Sequence, residues 1–295
     1  MLNGFDDHRI CLPSGVTLRV RKAGDGPALL LLHGYPQTHL CWHKVAPQLV
    51  SAGFTVVLPD LRGYGDSDKP PSDDNHTPYS KRAMATDQAQ LMAKLGYDRY
   101  GVAGHDRGAR VAHRLARDYA GRIAAVSFLD IAPTEHMYAQ TDQSFATAYY
   151  HWFFLIQAAP FPETLIGHDP DYYLTSKLKA WSKDIPDAFT AEAVAEYQRC
   201  YRDPDCIHAT CEDYRASAGI DLTHDAADAG TKLAMPVQTL WGDRGVVGRL
   251  YDVPEVWGRY AETLDANALP CGHFLPEEAP DETAAHLIRF FKSNP

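Results

Sequence analysis

Gly104-His105-Asp106-Arg107-Gly108 is the stretch that decides how this chain is organised. Tyr100, Val102 and Ala103 lead into it with the apolar character of a strand. Val111, Leu115 and Ala116 follow it with helical spacing to about Tyr119. A strand therefore turns directly into a helix, and Gly104 and Gly108 relieve the crowding where the two backbones meet. The middle residue of such a turn stands exposed at its tip. Here it is Asp106, a carboxylate with an arginine immediately after it. Two readings are open on these five residues. Asp106 is either a nucleophile that forms an ester, which a second step hydrolyses, or the N-cap of an amphipathic helix.

Working outward, strand-like segments recur at 17–22, 28–32, 55–58, 100–103, 124–129 and 237–241, with helical segments between them. That alternation predicts an α/β fold with a mostly parallel sheet. The rhythm breaks after Ile131-Ala132-Pro133, where a stretch rich in Tyr, Trp and Phe runs to about Asp225 without strand-like repeats. The core pattern resumes at Met235-Pro236-Val237. Residues 1–133 and 226–295 are therefore expected to form one core, with 134–225 a helical lid inserted into it.

The 295 residues are 45% hydrophobic, enough for a substantial core. No apolar run approaches the roughly 18 residues of a membrane span, and Asp6, Asp7, His8 and Arg9 stand where a signal peptide has its apolar centre. A soluble, cytoplasmic protein is expected. The six cysteines form no Cys-x-x-Cys pair, which predicts reduced thiols. Cys200, Cys206 and Cys211, with His208, fit no usual zinc spacing, so no metal site is expected and helical packing accounts for them. A net charge of -10 argues against nucleic acid as partner. It does not exclude a small acidic substrate, because two arginines in a closed pocket dominate the local potential.

Four motifs fit together: His33-Gly34-Tyr35-Pro36, Asp60-Leu61-Arg62-Gly63-Tyr64-Gly65-Asp66-Ser67, Gly104 to Gly108, and Gly272-His273-Phe274. Jointly they resemble the α/β-hydrolase fold in its Asp-nucleophile branch, which includes epoxide hydrolases and haloalkane dehalogenases. In those relatives Trp usually follows the nucleophile, whereas here the residue is Arg107. The run Gly104 to Arg110, His151-Trp152, Cys211-Glu212-Asp213-Tyr214-Arg215 and Gly272-His273-Phe274-Leu275-Pro276-Glu277-Glu278 closely resemble the fluoroacetate dehalogenases. The resemblance spans essentially the whole chain.

The resemblance implies a reaction without cofactor, in which fluoroacetate and water give glycolate and fluoride. Asp106 would displace the halide and carry the ester, and His273 would activate the water that hydrolyses it. Asp130 matches the family position of the acid that orients His273, with Asp243 of the Gly242-Asp243-Arg244-Gly245 loop as the alternative. Arg107 and Arg110, three apart on the first helical turn, face the same side and form a carboxylate clamp; the alternative is surface arginines matched to Asp118. His151, Trp152 and Tyr214 offer three donors for the departing halide, or else pack as aromatic core. The backbone amides of Tyr35 and Arg107 would stabilise the oxyanion. Haloalkane dehalogenases often carry Asn in place of Tyr35.

The expected partners are a haloacetate and water, with no nucleic acid or membrane, and the family implies a homodimer. Three other functions compete with the favoured one. The first is a haloacid dehalogenase that handles chloroacetate but not fluoride. The second is an epoxide hydrolase using Tyr214 with Tyr149 or Tyr150 as proton donors. The third is a non-catalytic receptor for small acids.

Overall fold

The computed structural model describes residues 1–182 and 187–295. Eight strands form one sheet: β1 (Asp6–Cys11), β2 (Thr17–Ala23), β3 (Ala28–Leu32), β4 (Thr55–Pro59), β5 (Tyr100–His105), β6 (Ile123–Leu129), β7 (Val237–Gly242) and β8 (Leu264–Leu269). Their order across the sheet is β1-β2-β4-β3-β5-β6-β7-β8. β1 and β2 run antiparallel to their neighbours, and all the other pairings are parallel. The central strands β3, β4, β5 and β6 are buried at every residue, as expected where helices cover both faces of a parallel sheet.

Six strands lie where the sequence predicts them, within two residues at either end. The other two, β1 and β8, are the sheet edges. The β1 sequence Asp-Asp-His-Arg-Ile-Cys faces solvent over most of its length and lacks the apolar alternation that marks a half-buried strand. The β8 sequence Leu-Asp-Ala-Asn-Ala-Leu is half-buried over most of its length, and its short alternation rests on small alanines, a weak strand signal.

The helices that flank the sheet ahead of β6 are α1 (Ala46–Ser51), α2 (Lys81–Lys94) and α3 (Arg107–Asp118). Between β6 and β7 the described residues carry eight helices: α4 (Thr134–Ala139), α5 (Gln143–Ala148), α6 (His151–Phe154), α7 (Phe161–His168), α8 (Pro170–Trp181), α9 (Ala191–Tyr201), α10 (Pro204–Ala218) and α11 (Ile220–Ala227). Side-chain caps start several of them: Asp142 on Phe145 N, Asp169 on Tyr172 N, Thr190 on Ala193 N and Asp203 on Asp205 N. The lid is tied to the core by Lys44, which donates to the carbonyls of Asp187 and Ala188. Four helices follow β7: α12 (Val246–Leu250), α13 (Val253–Gly258), α14 (Leu275–Glu278) and α15 (Pro280–Ser293). Among the described residues no helix is long and apolar enough to cross a membrane. The cysteines Cys200, Cys206 and Cys211 are buried in α9 and α10, and burial raises the pKa of all three thiols.

Candidate active site

Asp106 lies between β5 and α3 with φ 48° and ψ -115°, a backbone conformation L-residues rarely adopt. It occupies the N-cap position of α3, but its side chain makes no capping hydrogen bond. The carboxylate turns away instead, and its Oδ1 accepts the amide of Tyr35 at 2.9 Å. The glycines explain how so tight a turn can pack. A Cβ on Gly104 would stand 2.5 Å from the Gly108 carbonyl, one on Gly108 would stand 2.4 Å from the His33 carbonyl, and one on Gly34 would stand 2.5 Å from Asp106 Cβ. The motif spacing is thus a packing requirement, and strain at Asp106 is held by three close approaches.

His273 Nε2 lies 3.7 Å from Asp106 Oδ2, too long for a hydrogen bond. On the other side of the ring, Nδ1 meets Asp130 Oδ2 at 2.6 Å. Asp130 follows the last residue of β6, has φ 52°, and accepts the Gly242 amide on its other oxygen at 3.0 Å. It is therefore Asp130, not Asp243, that contacts the imidazole; Asp243 is half exposed and lies 3.9 Å from Arg244.

The backbone of His273 is fixed at both polar atoms. Its amide donates to Trp181 O at 3.0 Å and its carbonyl receives His105 Nε2 at 2.7 Å. The flanking amides of Gly272 and Phe274 both donate to Glu278, at 2.7 Å each. Burial, a second lid contact and a bidentate carboxylate thus leave the ring little freedom.

Burial alone would lower the pKa of His273. The hydrogen bond and charge of Asp130, followed by the charge of Asp106, outweigh that and lift it above the ordinary imidazole value. The sign yields a prediction. Asp106→Asn removes one negative charge facing the ring, so the His273 titration midpoint, followed by NMR, is expected to fall below that of the unaltered protein. An unchanged or higher midpoint would show that Asp106 does not act on this imidazole.

Arg107 and Arg110 are both buried, and neither touches Asp118, which pairs with Arg82 at 2.9 Å and Arg114 at 3.6 Å. Arg107 is gripped by Asp213: Nε and Nη2 bond its two carboxylate oxygens at 3.0 and 2.6 Å, and Nη2 also reaches Ser217 Oγ at 2.6 Å. Among the described residues Arg110 binds only uncharged atoms, namely Ala132 O, Thr134 Oγ1 and Met137 Sδ. Each guanidinium also lies over an aromatic ring, Arg107 at 4.1 Å from the Tyr214 centroid and Arg110 at 4.7 Å from that of Trp152. Such stacking draws electron density from the rings and makes their O–H and N–H better donors.

His151 and Tyr214 face one another with ring centres 5.5 Å apart, and Trp152 lies 6.5 Å from Tyr214. All three are buried. Burial and the nearby Lys177 ammonium press His151 well below its usual pKa, so it is a neutral imidazole. Four buried polar atoms of this group have no hydrogen-bond partner among the described residues: Arg107 Nη1, Arg110 Nε, His151 Nδ1 and Tyr214 Oη. Buried polar atoms are normally satisfied, so this concentration beside a strained carboxylate marks a place built to receive something polar. The expected oxyanion pair is only half formed around Asp106. Among the described residues Tyr35 N donates to its carboxylate, and no hydrogen bond joins the Arg107 amide to it.

Sequence reasoning missed Trp181, whose ring centre lies 4.6 Å from His151 and 5.6 Å from His273. It also gave no role to His105, Asp213 or Glu278, although all three lie in the motifs quoted. Tyr150 does not face the site: it is half exposed and its hydroxyl bonds Lys177.

Comparison with known proteins bears on the family and the fold. Residues 27–280 match the family model described as alpha/beta hydrolase fold. A fluoroacetate dehalogenase from Burkholderia sp is 42% identical over 98% of this chain and 95% of its own. A soluble epoxide hydrolase from Corynebacterium sp. strain C12 is 36% identical over 96% of each chain. Among solved structures, an alpha/beta hydrolase candidate from Nostoc sp PCC 7120 superposes with a TM-score of 0.97 at 55% identity, covering 99% of both chains.

Proposed function

The chain belongs to the alpha/beta-hydrolase family, and from that premise we propose that it hydrolyses the carbon–halogen bond of haloacetates, fluoroacetate among them, through an ester on Asp106. The observation that carries this reading is Arg110. A buried guanidinium whose described partners are all uncharged, in a chain of net charge -10, is matched by a small carboxylate. Arg107 Nη1 and Arg110 Nε supply free donors for it.

With the carboxylate held there, the halogen-bearing carbon faces Asp106 Oδ2. Oδ2 forms the new C–O bond as the carbon–halogen bond breaks, and the electron pair leaves with the halide. His151, Trp152 and Tyr214 donate to it as its charge develops. His273 Nε2 then takes a proton from water, whose oxygen attacks Cγ of the ester. The negative charge passes to Oδ1, on the Tyr35 amide. Collapse expels the glycolate oxygen, which recovers the proton from His273, and Asp106, left as the carboxylic acid, releases the remaining water proton to solvent and is restored as the carboxylate. Asp106 is suited to the first step because His273, His105 and the two arginines offset its burial and hold its pKa down.

An epoxide hydrolase is the second reading, favoured by the unpartnered Tyr214 hydroxyl and by the Corynebacterium relative. A neutral epoxide would leave the Arg110 guanidinium without an anionic partner, and of the two candidates for second proton donor the exposed Tyr150 is unsuited, which leaves the buried Tyr149. The two are separated by offering chloroacetate, fluoroacetate and a neutral terminal epoxide to one preparation. Halide release from the acids is expected; diol formation without halide release would replace this reading with the epoxide one.

A further inference from the structure

Asp213 does not serve Arg107 alone. Its Oδ1 also receives Lys81 Nζ, and its Oδ2 receives Tyr64 Oη at 2.7 Å. Lys81 Nζ lies 3.7 Å from Asp221, which accepts the Lys81 amide at 2.8 Å and Ser217 Oγ at 3.3 Å. Every member of this network is buried. Lys81 opens α2 in the core, while Asp213, Ser217 and Asp221 come from the lid helices α10 and α11.

The charges balance only because of Lys81. Two cations, Lys81 and Arg107, face two carboxylates, Asp213 and Asp221. Without Lys81 both carboxylates would act on Arg107 and cancel its attraction for an anion. We propose that Lys81, which lies behind the site, is a positioning residue that neutralises the second of these carboxylates, so that the cluster around Arg107 presents no net negative charge to an anionic substrate, making the site selective for carboxylates over neutral ligands of the same shape. This rests on the carboxylate-binding reading above. Burial and then Arg107 lower the Lys81 pKa from its usual value, and the two carboxylates counter them only in part.

The test compares binding of acetate and of acetamide, alike in shape and different in charge, by calorimetry on the full-length protein. Lys81→Met is expected to weaken acetate about tenfold or more, as loss of one buried unit charge near an anion implies, while acetamide changes less than about twofold. Lys81→Arg is expected to restore acetate binding. So is the double variant Lys81→Met with Asp221→Asn, because it removes one charge of each sign and returns the network to balance. Lys81→Gln keeps a donor for Asp213 without the charge and makes the same comparison where Lys81→Met fails to fold.

Equal weakening of acetate and acetamide, or unaltered acetate binding in a folded Lys81→Met protein that still releases halide from chloroacetate, would overturn this inference and leave the proposed function standing. An unaltered protein that neither binds acetate nor releases halide would overturn the carboxylate reading itself.

Discussion

His273→Asn is expected to halt the enzyme after a single chemical event, leaving a carboxymethyl ester on Asp106. Displacement of halide needs the Asp106 carboxylate, the guanidinium pair and the halide donors; the imidazole takes no proton in that step, and His105 and the two arginines still hold the Asp106 pKa down without it. Hydrolysis of the ester does, because water must lose a proton to Nε2 as it attacks. An amide side chain cannot accept that proton, so turnover should fall on the order of a thousand-fold while the first halide is still released. The site around the substitution is held by contacts that do not use the ring: the Trp181 carbonyl, the His105 imidazole and the Glu278 carboxylate all bind backbone atoms of the loop. Mass spectrometry of the peptide containing Asp106, after incubation with chloroacetate, should show the added group in near-stoichiometric amount. Sustained turnover by this variant would remove His273 from the mechanism.

Arg110→Leu is expected to reduce kcat/KM for chloroacetate by about a thousand-fold with the fold preserved. Truncating one partner of a buried charged pair costs roughly 2–5 kcal/mol, and the upper part of that range corresponds to such a rate loss. Arg110 is the cleaner arginine to remove. Its described partners are a carbonyl, a hydroxyl and a thioether, so its loss leaves no buried carboxylate without a counter-charge. Arg107→Leu would instead leave the buried pair Asp213 and Asp221 to share Lys81, coupling any loss of activity to a loss of stability. Circular dichroism and thermal melting separate the two outcomes. A folded Arg110→Leu protein with undiminished kcat/KM would place the substrate carboxylate elsewhere.

The sequence carried the centre of the fold more fully than its margins. β3 to β7 and the elbow at Asp106 were legible because continuous burial and glycine spacing leave direct marks in the chain. The edge strands β1 and β8 were not, since β1 is largely exposed, β8 only half-buried, and neither carries the run of large apolar residues that marks the central strands. Asp106 and His273 could be located from local motifs. Asp130 is preferred to Asp243 because it closes an apolar strand and matches the family position, and the fold sets that strand end against the imidazole. The support behind the site carried no such signal. Asp213 stands in a motif that was recognised, but its partners Lys81 and Arg107 are more than a hundred residues away in sequence, and nothing local announces a shared carboxylate. Trp181 likewise reads as one more lid aromatic until the fold sets it against His151 and His273.

A single turnover of excess protein with chloroacetate in oxygen-18 water tests the ester on Asp106 most directly. If the carboxylate displaces the halide and water then attacks Cγ, the heavy oxygen enters the Asp106 side chain and the first glycolate released is unlabelled, its new oxygen having come from Oδ2. Labelled glycolate with an unlabelled Asp106 would mean that water attacks the substrate carbon directly, and the covalent account would be wrong.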